Sequence, residues 1–282
     1  RDTQRLDTPA KVNGTAKFGI DAQVEGMLIA VMARAPLAGA TVKSMDETKA
    51  RAIKGVQKII TIPNGVAVLA DGYWAAKQGR DALAVQWDLG ANASLDSAKV
   101  SAMLGDAATK AAAVAVEKGD AAAVAKLSAS YEVPYLAHAC MEPLNCLAWV
   151  KGDEVTIWAG TQSQGPAQGI LSQVAQATPA KVKVNTLLLG GGFGRRFAPD
   201  FTIDATLLSK LSGSPVKLIY TREDDMAAGF YRPASVVHFQ GALDDKGRAS
   251  LLRANVGSPS IMAGSGFMKI PDNGVDAMAV EG

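Results

Sequence analysis

Apolar residues in this chain come in short runs parted by polar turns, a rhythm that predicts strands interleaved with helices. The runs at residues 27–34, 56–62 and 66–70 read as buried strands. Pro63-Asn64-Gly65 supplies the turn between the last two, since proline presets φ and glycine accepts a positive one. Residues 46–54 read as a helix, and this first unit closes near Asp88. From 90 to 130 alanine and small polar residues dominate, with Gly105-Asp106 and Gly119-Asp120 as interruptions. That composition predicts short helical stretches crossing the surface as a link, because it offers little bulk for a core. Strands resume at 128–135, 147–150 and 155–158, and a helix opens near Pro166, where the first turn tolerates a missing N–H. A strand at 182–189, a helix at 200–211, a strand at 216–220 and a hairpin of 235–243 with 249–256 complete the pattern. Asp244-Asp245-Lys246-Gly247 forms the hairpin turn. The fold class is therefore α/β (α+β), divided as 1–90, a helical connector over 91–129, and 130–282, with no internal repeat.

A length of 282 residues fits two domains at roughly 100 to 200 residues each. Apolar residues make up 48% and charged ones 20%, which places the chain with ordinary globular proteins and excludes disorder. The net charge of +2 gives no field that would gather nucleic acid or an anionic membrane. Cys140 and Cys146 are the only cysteines, too few for an iron–sulfur cluster, which takes about four thiolates. Any electron relay is thus expected elsewhere. No apolar run reaches the roughly 18 residues that would span a bilayer. The chain opens on Arg1 without a methionine and closes on Val280-Glu281-Gly282. The expectation is that both ends were cut from something longer, with any export signal upstream.

The most informative stretch is Gly190-Gly191-Gly192-Phe193-Gly194-Arg195-Arg196, placed directly after a strand. Four glycines in five positions permit positive φ and let a ligand touch the main chain. Free N–H groups and two arginines would favour an anion such as a phosphate. A dinucleotide fingerprint is the rival reading, with Glu223 and Asp224 farther along. Its spacing fails, because Arg195 stands where the third glycine should allow helix and strand to pack closely. No Gly-Lys-Ser or Gly-Lys-Thr occurs, which excludes a nucleoside triphosphate loop. Taken alone, the stretch is also compatible with a ligand-free glycine turn.

This loop resembles the molybdopterin-contacting loop of the xanthine dehydrogenase and aldehyde oxidase family. Three other segments agree in order. Lys11-Val12-Asn13-Gly14-Thr15-Ala16-Lys17-Phe18, with Gly26-Met27-Leu28 and Arg34-Ala35-Pro36, is similar to the opening of that family's hammerhead domain. Gly160-Thr161-Gln162 precedes the loop, and Tyr220-Thr221-Arg222-Glu223-Asp224-Asp225-Met226 follows it. His138-Ala139-Cys140-Met141-Glu142-Pro143-Leu144-Asn145-Cys146, together with Gly194-Arg195-Arg196-Phe197, is most similar to the isoquinoline 1-oxidoreductase beta-subunit branch.

The resemblance implies a hammerhead-like α/β domain followed by the first part of a molybdopterin-binding domain. It implies a molybdopterin cofactor in its cytosine dinucleotide form, contacted by Gln162, Gly191, Gly192, Phe193, Gly194 and Arg195. Gln162 would donate a hydrogen bond beside the metal, and backbone amides would hold oxygen ligands without adding charge. No catalytic residue is assigned within this chain, since the family's general-base glutamate is expected beyond Gly282. The resemblance further implies oxidation of an aldehyde or N-heteroaromatic carbon with oxygen from water, and electrons leaving through a small iron–sulfur subunit. It also implies a periplasmic location, and this stretch is expected to be inactive by itself. Phe197 and Ala198 stand where purine-oxidising relatives carry an acidic residue, which argues against a purine. His138, Cys140 and Glu142 lack zinc spacing and read as structural, with Glu142-Pro143 shaping a funnel wall. His238 reads as a sheet residue, and Trp74, Trp87, Trp149 and Trp158 read as packing. A nicotinamide-dependent dehydrogenase and a non-catalytic binding module remain as alternatives.

Overall fold

A computed structural model describes residues 3–110, 113–120, 122–264 and 268–280. After a short helix at Thr8–Val12 and a 3₁₀ turn at Gly19–Asp21, the chain enters β1 (Leu28–Arg34) and β2 (Thr41–Asp46). β3 (Val56–Ile62), β4 (Gly65–Ala70), helix α1 (Tyr73–Asp81) and β5 (Ala84–Asp88) follow. Helix α2 (Ser97–Thr109) and β6 (Leu127–Val133) come next, then β7 (Asn145–Lys151), β8 (Glu154–Ala159), α3 (Gln164–Ala175) and β9 (Val182–Thr186). The last elements are α4 (Asp200–Ser212), β10 (Val216–Ile219), α5 (Arg222–Ala227), β11 (Ser235–Leu243) and β12 (Ala249–Gly257). The α/β class expected from the apolar rhythm is the class observed. The helix expected over 46–54 shrinks to Thr48–Arg51, because Asp46 ends a strand whose neighbour β5 lies far downstream. Cross-strand pairing outweighs local preference there.

The chain forms two compact units, each made of two stretches. The first joins residues 1–93 to 137–230 around a seven-stranded sheet in the order β3-β4-β1-β10-β7-β8-β9. β1 runs parallel to β10, with Leu28 opposite Val216, and antiparallel to β4. The linear division at residue 90 therefore does not separate one sheet from another, since β1, β3 and β4 share theirs with β7 to β10. β4 is buried at every residue, as a strand covered on both faces must be. On one face α1 packs against β1 and β4, with Val31, Ala70 and Ala76 in contact. On the other, Leu171 of α3 and Phe201, Ala205 and Leu208 of α4 close over Ala30, Met32, Leu69, Ala148 and Ile157.

Helix α4 also carries a carboxylate into this core. Asp204 is fully buried and accepts from Arg34 Nη2 at 3.0 Å and Asn64 Nδ2 at 2.8 Å. Arg34 lies 4.1 Å from the centre of the Tyr220 ring, a cation–π contact. Burial pushes the Asp204 carboxyl above its ordinary value, with the Arg34 charge opposing.

The second unit joins residues 94–136 to 231–282 and holds a three-stranded sheet in the order β12-β11-β6. The hairpin of β11 and β12 matches its sequence expectation, and His238 sits within it, bonded to Ser130 Oγ at 2.9 Å. The alanine-rich stretch differs from expectation. Residues 97–109 form one helix that continues through Gly105-Asp106, capped by Asp96 accepting from the Lys99 amide at 2.8 Å. Instead of crossing the surface it packs on the sheet, where a Cβ at Gly257 would stand 2.1 Å from the Leu104 carbonyl. Small side chains are what permit that approach. Of the tryptophans expected to pack, Trp74 departs from expectation, being 70% exposed at the start of α1, while Trp149 is 37% exposed and Trp87 and Trp158 are half-buried.

Candidate active site

β9 ends at Thr186, three residues short of the strand expected to 189, because Leu188 leaves β8 to form a bridge with Phe18. The Leu188 amide donates to the Lys17 carbonyl at 3.2 Å, and the glycine loop begins at once beyond it. Gly191 and Gly194 take φ of +99° and +97°, and Phe193 itself stands at +54°. Left-handed backbone costs an L-residue about 1–2 kcal/mol, and Phe193 is 71% exposed, so burial returns little for it. Strain of this kind gathers at ligand sites. Beyond the loop comes only a 3₁₀ turn, Arg195–Phe197, and α4 starts at Asp200. Among the described residues no helix opens directly from the loop, which removes the geometric basis of the dinucleotide reading.

Two buried ion pairs hold the loop. Arg196 is fully buried and grips three carbonyls: Gly191 from Nε at 2.7 Å, Glu142 from Nη2 at 2.7 Å and Gly160 from Nη1 at 3.4 Å. Its Nη2 also reaches Glu142 Oε2 at 3.1 Å. Arg195, expected to contact the cofactor, places both Nη groups on Asp200 at 2.8 and 2.7 Å, a bidentate fork. Its Nε has no hydrogen-bond partner among the described residues. Tyr220 Oη donates to Asp200 at 3.4 Å, so the fork adjoins the polar cluster around Arg34. Glu142, expected in a funnel wall, turns its carboxylate inward and serves the loop. Neither Glu142, Asp200 nor the roles of the two arginines is legible in the sequence as a constellation, because these residues are scattered along the chain.

The remaining predicted residues lie beside the loop. Gln162 is exposed, and its Oε1 accepts from the Gly194 amide at 3.3 Å. A Cβ on Gly192 would stand 2.6 Å from that same oxygen, so the side chain lies flat on the glycine. Cys140 donates from Sγ to the Gly192 carbonyl at 3.4 Å, and burial pushes its thiol above the ordinary value. Burial and this contact mark it as a packing thiol beside the loop. His138 is also at the loop, with Nε2 3.7 Å from where a Gly194 Cβ would sit. Arg222 extends from α5 to the Met141 carbonyl at 2.8 Å and to Asp225 at 3.1 Å, tying down the 138–142 stretch. Among the described residues, the amides of Gly191, Gly192 and Phe193 donate to nothing, whereas those of Gly190, Gly194 and Arg195 are all bonded.

Three consecutive neutral donors beside a side-chain amide, on a backbone that ion pairs keep in place, make a cradle for an oxygen-rich ligand held by main-chain contacts. The chain is thus an α/β protein with an open row of main-chain donors at this loop. Residues 104–260, which include the loop, match the molybdopterin cofactor-binding domain, and the chain belongs to that family. It is 36% identical, over 98% of its length, to a membrane-bound aldehyde dehydrogenase (pyrroloquinoline-quinone) of Gluconacetobacter polyoxogenes, covering 38% of that protein. It is 31% identical over 93% of its length to the isoquinoline 1-oxidoreductase subunit beta of Brevundimonas diminuta, covering 36% of it. The fold is that of the aldehyde oxidoreductase from Desulfovibrio gigas, with a TM-score of 0.70 at 18% identity over 89% of this chain and 33% of that one. Quinoline 2-oxidoreductase from Pseudomonas putida 86 gives 0.68 at 17% identity, over 89% of this chain and 38% of that one. The family resemblance drawn from the loop and its flanking motifs is the family found, and the chain spans less than two fifths of these relatives.

Proposed function

We propose that the whole protein is a molybdopterin-dependent oxidoreductase that hydroxylates an aldehyde or N-heteroaromatic carbon with oxygen from water. The observation that carries this reading is the run of unpaired amides at Gly191, Gly192 and Phe193 beside Gln162. When bound, molybdopterin supplies a metal centre able to take up the electrons of the oxidation. Gly191, Gly192 and Phe193 would hold its oxygen atoms by main-chain donation, and Gln162 would turn its Nε2 toward the same ligand. Phe193, Met141 and Phe197 present apolar surface around the loop, in keeping with a flat apolar substrate. Both carboxylates that touch the loop's anchors are paired, Glu142 with Arg196 and Asp200 with Arg195, so the proton acceptor is assigned to another part of the protein. The quinone in the name of the Gluconacetobacter relative is less well served here. A carboxylated quinone wants cations, and the two arginines of the loop are already engaged.

Names of the relatives, an aldehyde dehydrogenase and an isoquinoline oxidoreductase subunit, support the substrate classes. That the second is one subunit of an assembly supports an iron–sulfur partner as the electron exit, and both cysteines of this chain are buried and held as thiols. We extend the reading to the cytosine dinucleotide form of the cofactor, a hammerhead-like role for the N-terminal strands, and work in the periplasm. The whole protein, purified from its native host, should carry near-stoichiometric molybdenum by mass spectrometry. Gly192→Asp, which sets a carboxylate against Gln162 Oε1 and the free amides, should lose most of it. Well-folded protein without metal would favour the non-catalytic module instead.

A further inference from the structure

Glu142, already seen as the partner of Arg196, has the most heavily bonded carboxylate at the loop. Oε1 accepts from the Ile20 amide at 3.0 Å and from Asn145 Nδ2 at 2.9 Å. Oε2 accepts from the Gly190 amide at 2.8 Å and from Arg196 Nη2 at 3.1 Å. All four partners are donors, and only an ionised carboxylate offers acceptors alone. The Glu142 amide in turn donates to the Gly190 carbonyl at 2.9 Å, so residues 142 and 190 are locked by a reciprocal pair. Contact is close enough that a Cβ on Gly190 would stand 2.2 Å from the Glu142 Cβ. One carboxylate thus joins three distant stretches: the turn at Gly19–Asp21, the entry to β7 and the first residue of the loop.

We infer that Glu142 is a positioning residue for the cofactor, acting through Gly190 and Arg196 to hold the three unpaired amides in place before any ligand arrives. The chemistry that follows is specific. With Gly190 fixed through its N–H and carbonyl, and Gly191 held by Arg196 at its carbonyl, the main chain where the run of unpaired amides begins is pinned from one side. A backbone set beforehand does not have to be ordered by the ligand, so the ligand is released more slowly. The inference rests on the molybdopterin reading above.

Glu142→Gln by itself would leave the guanidinium of Arg196 buried without a counter-charge and put an amide donor among donors, so that variant can fail by unfolding. Glu142→Gln with Arg196→Met removes both charges together, which buried pairs tolerate far better. In the whole protein from its native host, the double variant should melt below wild type, because the Gly191, Glu142 and Gly160 carbonyls lose their donor, and it is assayed at a temperature where circular dichroism shows it folded. Its molybdenum and its pterin, the latter read by fluorescence after oxidative release, should fall at least tenfold per folded chain. Remaining cofactor should dissociate at least tenfold faster on dilution. Asp153→Asn, which breaks the exposed pair with Lys181, serves as a control and should change neither quantity. A double variant that folds and retains wild-type molybdenum and pterin overturns the positioning role and leaves the functional reading intact. Wild-type protein lacking both molybdenum and pterin overturns the functional reading, and this inference with it.

Discussion

At the residue scale the loop trades backbone ease for exposure of donors. Phe193 shows this most directly, being left-handed at φ +54° and 71% exposed, with its ring folded over Gly191 at 3.2 Å from a Cβ position there. Phe193→Gly relieves about 1–2 kcal/mol of left-handed strain and returns roughly 0.5–1 kcal/mol of that through the entropy of a freer unfolded chain. Chemical unfolding should therefore place the variant within about 1 kcal/mol of wild type, while kcat/KM of the whole protein in the proposed oxidation falls at least tenfold. A stability loss well beyond that margin would mean that the ring is a packing element and its strain has no bearing on the ligand. The glycines, Phe193 and Gln162 are all legible as candidates, because the need for positive φ and close approach is written into the residue type and Gln162 stands in a motif of its own. Glu142 is not: a single carboxylate before a proline carries no sign in the sequence that four donors will meet it.

Among the elements, α4 decides how the site is supported. It presents Asp200 to Arg195 at its first turn and Asp204 to Arg34 one turn later, so one helix anchors the loop and strand β1 together. Asp204→Ala strands Arg34 in the core and should cost about 3–5 kcal/mol, whereas Arg34→Met with Asp204→Leu should lie within about 1 kcal/mol of wild type. Equal losses in single and double variants, measured by urea unfolding, would transfer the stability to Asn64 and Tyr220. The pair also has a pH signature. Burial raises the folded carboxyl of Asp204 above its ordinary 3.8, so the unfolded chain gives up its proton first and stability declines as pH rises from 3.8 through the folded value. That decline should vanish in the double variant. The apolar spacing of α4 announces the helix, but Asp204, Thr202 and Thr206 are polar residues buried in it. Nothing in their spacing separates them from a solvated face.

The whole molecule is held by pairings between remote stretches. β1 is covered on one side by β4 and on the other by β10, some 190 residues later. Residues 1–93 expressed alone should therefore give the circular dichroism of an unfolded chain, and co-expression with 137–230 should restore a cooperative melt. A folded 1–93 fragment would show that β1 does not need β10. The sequence by itself determined the α/β class, the positions of most strands, the hairpin and the loop that carries the family resemblance. These rest on local periodicity and on backbone needs that residue type alone sets. Tertiary structure decided which strands share a sheet, that residues 97–109 pack as one helix rather than stretch across a surface, and that Arg195 answers to Asp200 and Arg196 to Glu142. Pairing and charge partnership are contacts between distant residues, and a chain's order carries no measure of those distances until it folds.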